Sequence, residues 1–245
     1  MVISVPRAVS ELLKTFHAAL VCGGVLLAPV VTNALTADEV NQAGRPAATK
    51  SKVTRANASI VKAQVLLARQ GVSPGEIDGL DGDNYRKAID QFRRRENLGT
   101  GEIVDAPTWQ ALKGDVSADI VSDYELTKED IKSRFSRRIP HDYARQARMT
   151  RLGYKNAQEM FAERFHMSEG LLRVLNPRTH YRKRGETIHI VSVGRAPPSS
   201  EALTVEADKT NGAVRALDAT GKVIAMYPAT IGSEDAPSPE GHTRL

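Results

Sequence analysis

Apolar and polar positions along this chain fall into two periodicities, helical over most of its length and strand-like near its end. From Ala58 to Gln70 the apolar residues Ile60, Ala63, Leu67 and Ala68 recur at helical spacing around Gln64, and Gly71 is placed to stop that helix in a left-handed conformation. Tyr85, Ala88, Ile89 and Phe92 form an i, i+3, i+4, i+7 face opposite Arg86, Lys87, Arg93 and Arg94, which predicts a second helix capped by Asn84. A short third helix is expected after GTGEIVD, with Asp105 as its cap, Pro107 in its first turn, and Trp109 and Leu112 on its buried side. Three short helices bury little apolar surface, so such a domain leans on its aromatic anchors.

Farther along, Ile131, Phe135 and Ile139 are spaced at four and predict a helix that Pro140 ends. Asn156 with Glu159 forms a cap pair ahead of an apolar side made by Ala157, Met160, Phe161 and Phe165. Ser168 caps a shorter helix through Leu171, Leu172 and Leu175, Asn176 and Pro177 break it, and a strand follows Gly185. After GRAPPSS the pattern turns to alternation, with ALTVEA first, then two strands joined across Asp218 to Gly221.

The acidic stretch GEIDGLDGD, residues 75 to 83, raises the question of a cation site. An EF-hand loop needs oxygen ligands at alternate positions and a glutamate at the twelfth. Counting from Asp78 places Leu80 third, and counting from Asp81 places Tyr85 fifth and Phe92 twelfth, so the pattern fails. A tight connection is expected instead, with Gly79 and Gly82 at positive φ and Asp78 bonding local amides. His166, His180 and His189 have no metal-ligand spacing, and neither a metal nor a cofactor is implied.

Composition changes this picture little: 41% hydrophobic and 26% charged residues suit a folded chain, and a net charge of +5 favours anionic partners. Aromatic residues are few among the arginines of residues 115–150, so nucleic acid is not an expected partner and that stretch reads as a connecting helix. The N-terminus changes it more. Arg7 and Lys14 precede AALVCGGVLLAPVV and TNA, the order of a secretory signal cleaved near Ala34, which implies a periplasmic or cell-envelope location and no membrane association after cleavage. The single cysteine, Cys22, lies inside that signal, so the mature chain is expected to have no thiol for a disulfide, nucleophile or zinc site. Residues 35–57 are polar and aperiodic, as a flexible tether would be.

Several of these residues carry a resemblance. Leu67, Gly71, Asp78, Gly79, Ala88, Phe92, Gly101, Asp105, Thr108 and Leu112 follow the pattern of the three-helix peptidoglycan-binding domain, with departures at Asn84 and Arg93. The two helices, N-P turn and G-E-T-I strand of residues 151–194 resemble a LysM module, which holds N-acetylglucosamine chains, although its usual first strand is not evident before residue 154. The G-K-V and Y-P-A-T-I-G segments and Pro239-Glu240-Gly241 resemble the opening strands of an L,D-transpeptidase catalytic domain.

The resemblance implies an α+β multidomain chain: signal 1–34, linker 35–57, peptidoglycan-binding domain 58–114, connecting helical segment 115–150, LysM-like βααβ module 151–194, linker 195–200, and an incomplete all-β transpeptidase segment 201–245. That family attacks its donor peptide with a cysteine in S-H-G-C-x-R, which does not occur here, so no catalytic residue can be assigned and the chain reads as non-enzymatic and truncated. Strands from about residue 200 onward are then expected to be poorly ordered. The function implied is peptidoglycan binding, to glycan strands and stem peptides. The alternatives are a fragment of an active transpeptidase and an envelope interaction protein without glycan affinity. Candidate binding residues are Asn84, Arg93, Trp109 and Asn176, each with a structural alternative: a cap, a solvated cation, a core aromatic and a turn residue.

Overall fold

The computed structural model describes residues 34–48, 53–114, 119–136, 139–140, 142–150, 152–194, 200–233 and 237–241. The expected signal therefore lies outside the described residues except for Ala34, and Cys22 lies outside them too. The described residues belong to one compact unit of mixed helix and sheet. None of their helices is long and apolar enough to cross a membrane.

Helix α1 (Ala37–Asn41) comes first, where a flexible tether was expected. Thr36 and Glu39 cap it reciprocally, and Val40 is fully buried. The Asn41 amide then accepts from Ile120 N at 2.9 Å and Val121 N at 2.8 Å and donates to Val121 O at 3.0 Å, tying α1 to a strand far along the chain. The polar composition of this stretch conceals a capping box and one buried valine.

Helices α2 (Ala58–Arg69), α3 (Asp83–Arg95) and α4 (Ala106–Ala111) follow the predicted pattern. Asn57 caps α2, Asp105 caps α4, and Tyr85, Ala88, Ile89 and Phe92 are the buried residues of α3. Two details differ. Gly82, not Asn84, is the cap of α3, so Asn84 lies within the first turn; and Gly82 has φ −95°, so only Gly79 (φ 73°) of the pair takes the left-handed conformation.

Strand β1 (Val121–Glu125) occupies part of the expected connecting helix and pairs antiparallel with β2 (Thr187–Val191), Val121 facing Val191 and Glu125 facing Thr187. Between them run α5 (Lys128–Lys132), α6 (Tyr143–Gln146), α7 (Ala157–Arg164) and α8 (Glu169–Leu175). The helix expected over Ile131 to Ile139 stops at Lys132, because Ser133 turns extended (ψ 135°).

Strands β3 (Thr204–Asp208), β4 (Ala213–Leu217) and β5 (Val223–Pro228) form an antiparallel sheet in that order, the β4–β5 connection falling at Asp218 to Gly221 as the alternation predicts. The sheet is docked rather than loose. Met226 N donates to Gly71 O at 2.9 Å, Ser73 N donates to Met226 O at 2.8 Å, and Met226 and Ala213 join the same buried cluster as α2, α3, α7 and α8. The apolar face that would be costly on an isolated hairpin is thus partly covered.

The loop from Gly71 to Gly79 makes this docking possible. At its other end Ile77 N donates to His166 O at 3.0 Å and Ser168 N to Ile77 O at 2.8 Å, a second bridge in the parallel sense. Gln64, 1% exposed, holds the loop's end: Oε1 accepts from Gly79 N at 2.8 Å and Asp78 N at 3.2 Å, while Nε2 donates to Asp78 Oδ1 at 2.8 Å and Leu80 O at 3.3 Å. Gly71 (φ 76°) must be glycine here, since a Cβ would lie 2.9 Å from the Ile224 carbonyl oxygen. Replacing Gln64 with alanine should lower unfolding free energy by roughly 2–4 kcal/mol, because buried loop amides lose their acceptor. Urea denaturation measures this directly, and a loss below about 0.5 kcal/mol would show that the loop does not depend on Gln64.

Candidate functional site

The four sequence-predicted binding residues do not converge. Trp109, 4% exposed, is a core residue on which Gly114 sits so closely that a Cβ there would be 2.1 Å from its ring. Asn176, 6% exposed, spends its amide on the backbone: Nδ2 donates to Leu172 O at 2.9 Å and His189 O at 2.8 Å, and Oδ1 accepts from His189 N at 2.7 Å. It is a structural clamp between α8 and β2.

Arg93 lies on the helix face that the periodicity assigns to solvent, yet its side chain is only 12% exposed. Nη1 bonds Thr108 Oγ1 and Asp105 Oδ2, both at 2.6 Å, and Nη2 donates to Leu98 O at 2.9 Å. The guanidinium joins α3 to the cap of α4. Its bond, followed by that from the Thr108 hydroxyl, pulls the Asp105 carboxyl down to about 2. Only Asn84 is exposed, and its Nδ2 would lie 3.4 Å from a Cβ on Gly75.

Two of the four acids of the 75–83 loop are likewise committed. Asp78 accepts from Leu80 N at 2.8 Å as well as from Gln64, and Asp81 pairs with Arg86 at 2.9 Å. Among the described residues no group of three or more His, Cys, Asp or Glu side chains is placed to hold a metal ion. His189 Nδ1 lies 2.8 Å from Asp123 Oδ1 across the β1–β2 pair.

A different feature draws the segments together. A cleft of about 940 Å³ opens between the end of α2 with its following loop, the end of α7, the end of β2, and β5. Its apolar lining includes Ile77, Phe165, Ile190 and Ile224, and Tyr227 stands at it 49% exposed. Gly75, the neighbour of Asn84, also lines it, but none of the four predicted site residues does.

Four cations, Arg69, Arg95, Arg164 and Lys222, line this cleft against the single carboxylate of Glu96. Arg69 ends α2, and its guanidinium donates to three backbone carbonyls: Nε to Ser192 O at 3.1 Å and Val193 O at 3.2 Å, and Nη2 to Asp119 O at 2.8 Å. Burial lowers its pKa, with the charge of Asp119 opposing the shift. Arg95 bonds Gln70 O at 2.6 Å, pairs with Glu96 at 2.9 Å and covers the Phe92 ring. Arg164 pairs with Asp130 at 2.6 Å, and Tyr124 donates to the same carboxylate at 2.9 Å. Burial pushes the Asp130 carboxyl up, but the bonds from Arg164, the Thr127 amide and Tyr124 outweigh it and hold the carboxyl below its ordinary value.

Sequence reasoning missed every one of these residues as a site. Lys222 and Tyr227 sit in the G-K-V and Y-P-A-T-I-G segments, and Arg69 directly precedes the Gln70-Gly71 helix stop, but only long-range packing brings them into one cleft. No family model matches the chain, and no curated protein matches it.

The Arg93–Asp105 contact has a pH signature. Because the folded carboxyl titrates below its ordinary value of 3.8, the stability it contributes is present above that value and is lost as pH falls toward about 2. Carbon-13 NMR should place the Asp105 midpoint near 2 in the native chain and return it toward 3.8 in Arg93→Met. An unchanged midpoint in that variant would rule out Arg93 as the main cause.

Proposed function

We propose that this chain is an exported peptidoglycan-binding protein of the cell envelope, and that the wall polymer lies in the cleft between α2, α7, β2 and β5. The observation that carries the reading is the cleft itself, which is bounded by all three stretches whose residues resemble wall-associated modules. In this reading α2 to α4 are the peptidoglycan-binding domain. The β1–α7–α8–β2 set is the LysM-like βααβ module, with α5 and α6 inserted after a first strand that lies well upstream of residue 154. The β3–β5 sheet corresponds to the opening strands of a transpeptidase domain.

The chemistry of the lining supports it. Sugar rings present apolar faces edged with hydroxyls, and a cleft that combines Phe165 and an exposed Tyr227 with cations and backbone groups offers partners to both. Binding needs no nucleophile. A second reading, a transpeptidase fragment in which the cleft carries substrate toward an acyl-transfer site, is favoured by the position of β5 at the cleft. It requires a thiolate, a base and oxyanion donors, and no cysteine among the described residues lines the cleft, so the binding reading leads.

Purified chain should pellet with insoluble peptidoglycan sacculi and remain in solution with cellulose. Tyr227→Ala should reduce retention on sacculi by roughly threefold or more, since it removes an exposed ring while leaving the core untouched. Trp109→Ala should instead lower stability, by about 3–5 kcal/mol, before it alters binding. Retention on sacculi no greater than on cellulose would contradict the proposal and favour an envelope protein without glycan affinity.

A further inference from the structure

From a cluster of unpaired cations on the turn between α8 and β2, we infer that this part of the fold is a docking surface for a bilayer rich in anionic phospholipid. The inference goes beyond the wall-binding reading and stands apart from it, since no residue of the turn lines the cleft.

RVLNPRTHYRKRG, residues 173–185, holds five cations, Arg173, Arg178, Arg182, Lys183 and Arg184, and no carboxylate. All five are exposed, and among the described residues none of them forms an ion pair. The turn is held so that they stay outward. Asn176 clamps its start to both α8 and β2, Thr179 N donates to Asn176 O at 3.2 Å, and at the far end Gly185 N donates to Leu126 O at 2.9 Å. Between these ties Tyr181, at φ 55°, turns inward: it is 8% exposed, with its ring 5.7 Å from that of Phe161. Arg173 belongs to the same cluster, because its charge reaches the Tyr181 phenol and opposes the upward push of burial there. Glu125 and Glu186 stand at the β2 end of the turn, by Gly185, so the surface keeps an excess of positive charge.

Two features favour a bilayer over other polyanions. A nucleic-acid strand needs exposed rings on which its bases stack, and the one aromatic residue of the turn, Tyr181, is buried. A plane of lipid phosphates asks only for a cluster of roughly four to eight basic side chains on an exposed face. Leu35 points the same way. It lies a few residues beyond the apolar stretch 18–31, and its N–H donates to Val174 O at 3.3 Å, next to Arg173. A bilayer that receives that stretch during export therefore has the basic surface within a short length of chain, and cleavage near Ala34 removes the stretch but not the cations.

Co-sedimentation of the full chain with two sets of vesicles tests this, one of phosphatidylcholine alone and one of phosphatidylcholine with phosphatidylglycerol at about two to one. The expected result is binding to the anionic vesicles at least about tenfold tighter than to the neutral ones, and weaker as salt is added. The triple variant Arg182→Gln, Lys183→Gln, Arg184→Gln should weaken that binding by roughly thirtyfold or more, whereas Arg182→Lys with Arg184→Lys should retain it, since point charges suffice. All three side chains are exposed and unpaired among the described residues, so the glutamine variant should keep the wild-type midpoint in urea. Equal binding to the two vesicle sets would trace retention to the apolar stretch, and anionic binding that survives the glutamine variant would place it elsewhere on the chain; either result overturns the inference. Tighter binding of a DNA duplex than of anionic vesicles would also overturn it, by assigning the surface to nucleic acid. Retention on sacculi is untouched by all three outcomes.

Discussion

Gln64 and the loop that it holds are the constraint on which the remaining structure depends. A glutamine on the inner face of a helix is costly unless both ends of its amide are satisfied, and here the loop from Asp78 to Leu80 satisfies them. The loop is thereby held extended along the body of the molecule. From that position its two ends act as short strands, one bridging Met226 of β5 and the other Met167 at the start of α8. Segments far apart in the chain share one buried cluster as a result.

This arrangement also explains why the cleft is lined by cations already in use. Where helix α2 ends, Arg95 supplies a donor to the Gln70 carbonyl, and Arg69 donates outward to the carbonyls of Asp119, Ser192 and Val193. Arginine suits this task because its planar fork reaches several acceptors at once and keeps its charge when partly buried. Each guanidinium is thus both a strut between segments and a contributor to a positive lining. Structural duty and a place in the cleft wall are combined in the same side chains, whereas Tyr227 and Lys222 lie exposed at its rim.

Much of the local structure was legible in the sequence. The boundaries of α2, the buried face of α3, the Asp105 cap, the Asn156 and Ser168 caps, and the β4–β5 turn all follow from interactions within a few residues. What was not legible depends on distant partners. Strand β1 is short and charged on one side, and becomes a strand only because β2 lies beside it. Arg93 sits where periodicity places solvent, yet Thr108 and Asp105 draw it inward. Asn84 has the chemistry of a cap, but Gly82 takes that position. The four candidate residues do not meet for the same reason: Trp109 and Asn176 were singled out by residue type, and both are buried, while the cleft forms from residues that no local pattern connects.

The central claim is that loop 71–79 joins these segments into one cooperative body. Native-state hydrogen exchange tests it most directly, by comparing the amides of Ser73, Ile77, Ser168 and Met226 with those in the middle of α2 and α3. The account predicts that all of them exchange only through global unfolding, with the same opening free energy and the same dependence on denaturant. If Ser73 and Met226 exchange through a lower-energy opening while α2 and α3 remain protected, the β3–β5 sheet is an independent appendage, and the cleft it helps to form is not a fixed feature of the protein.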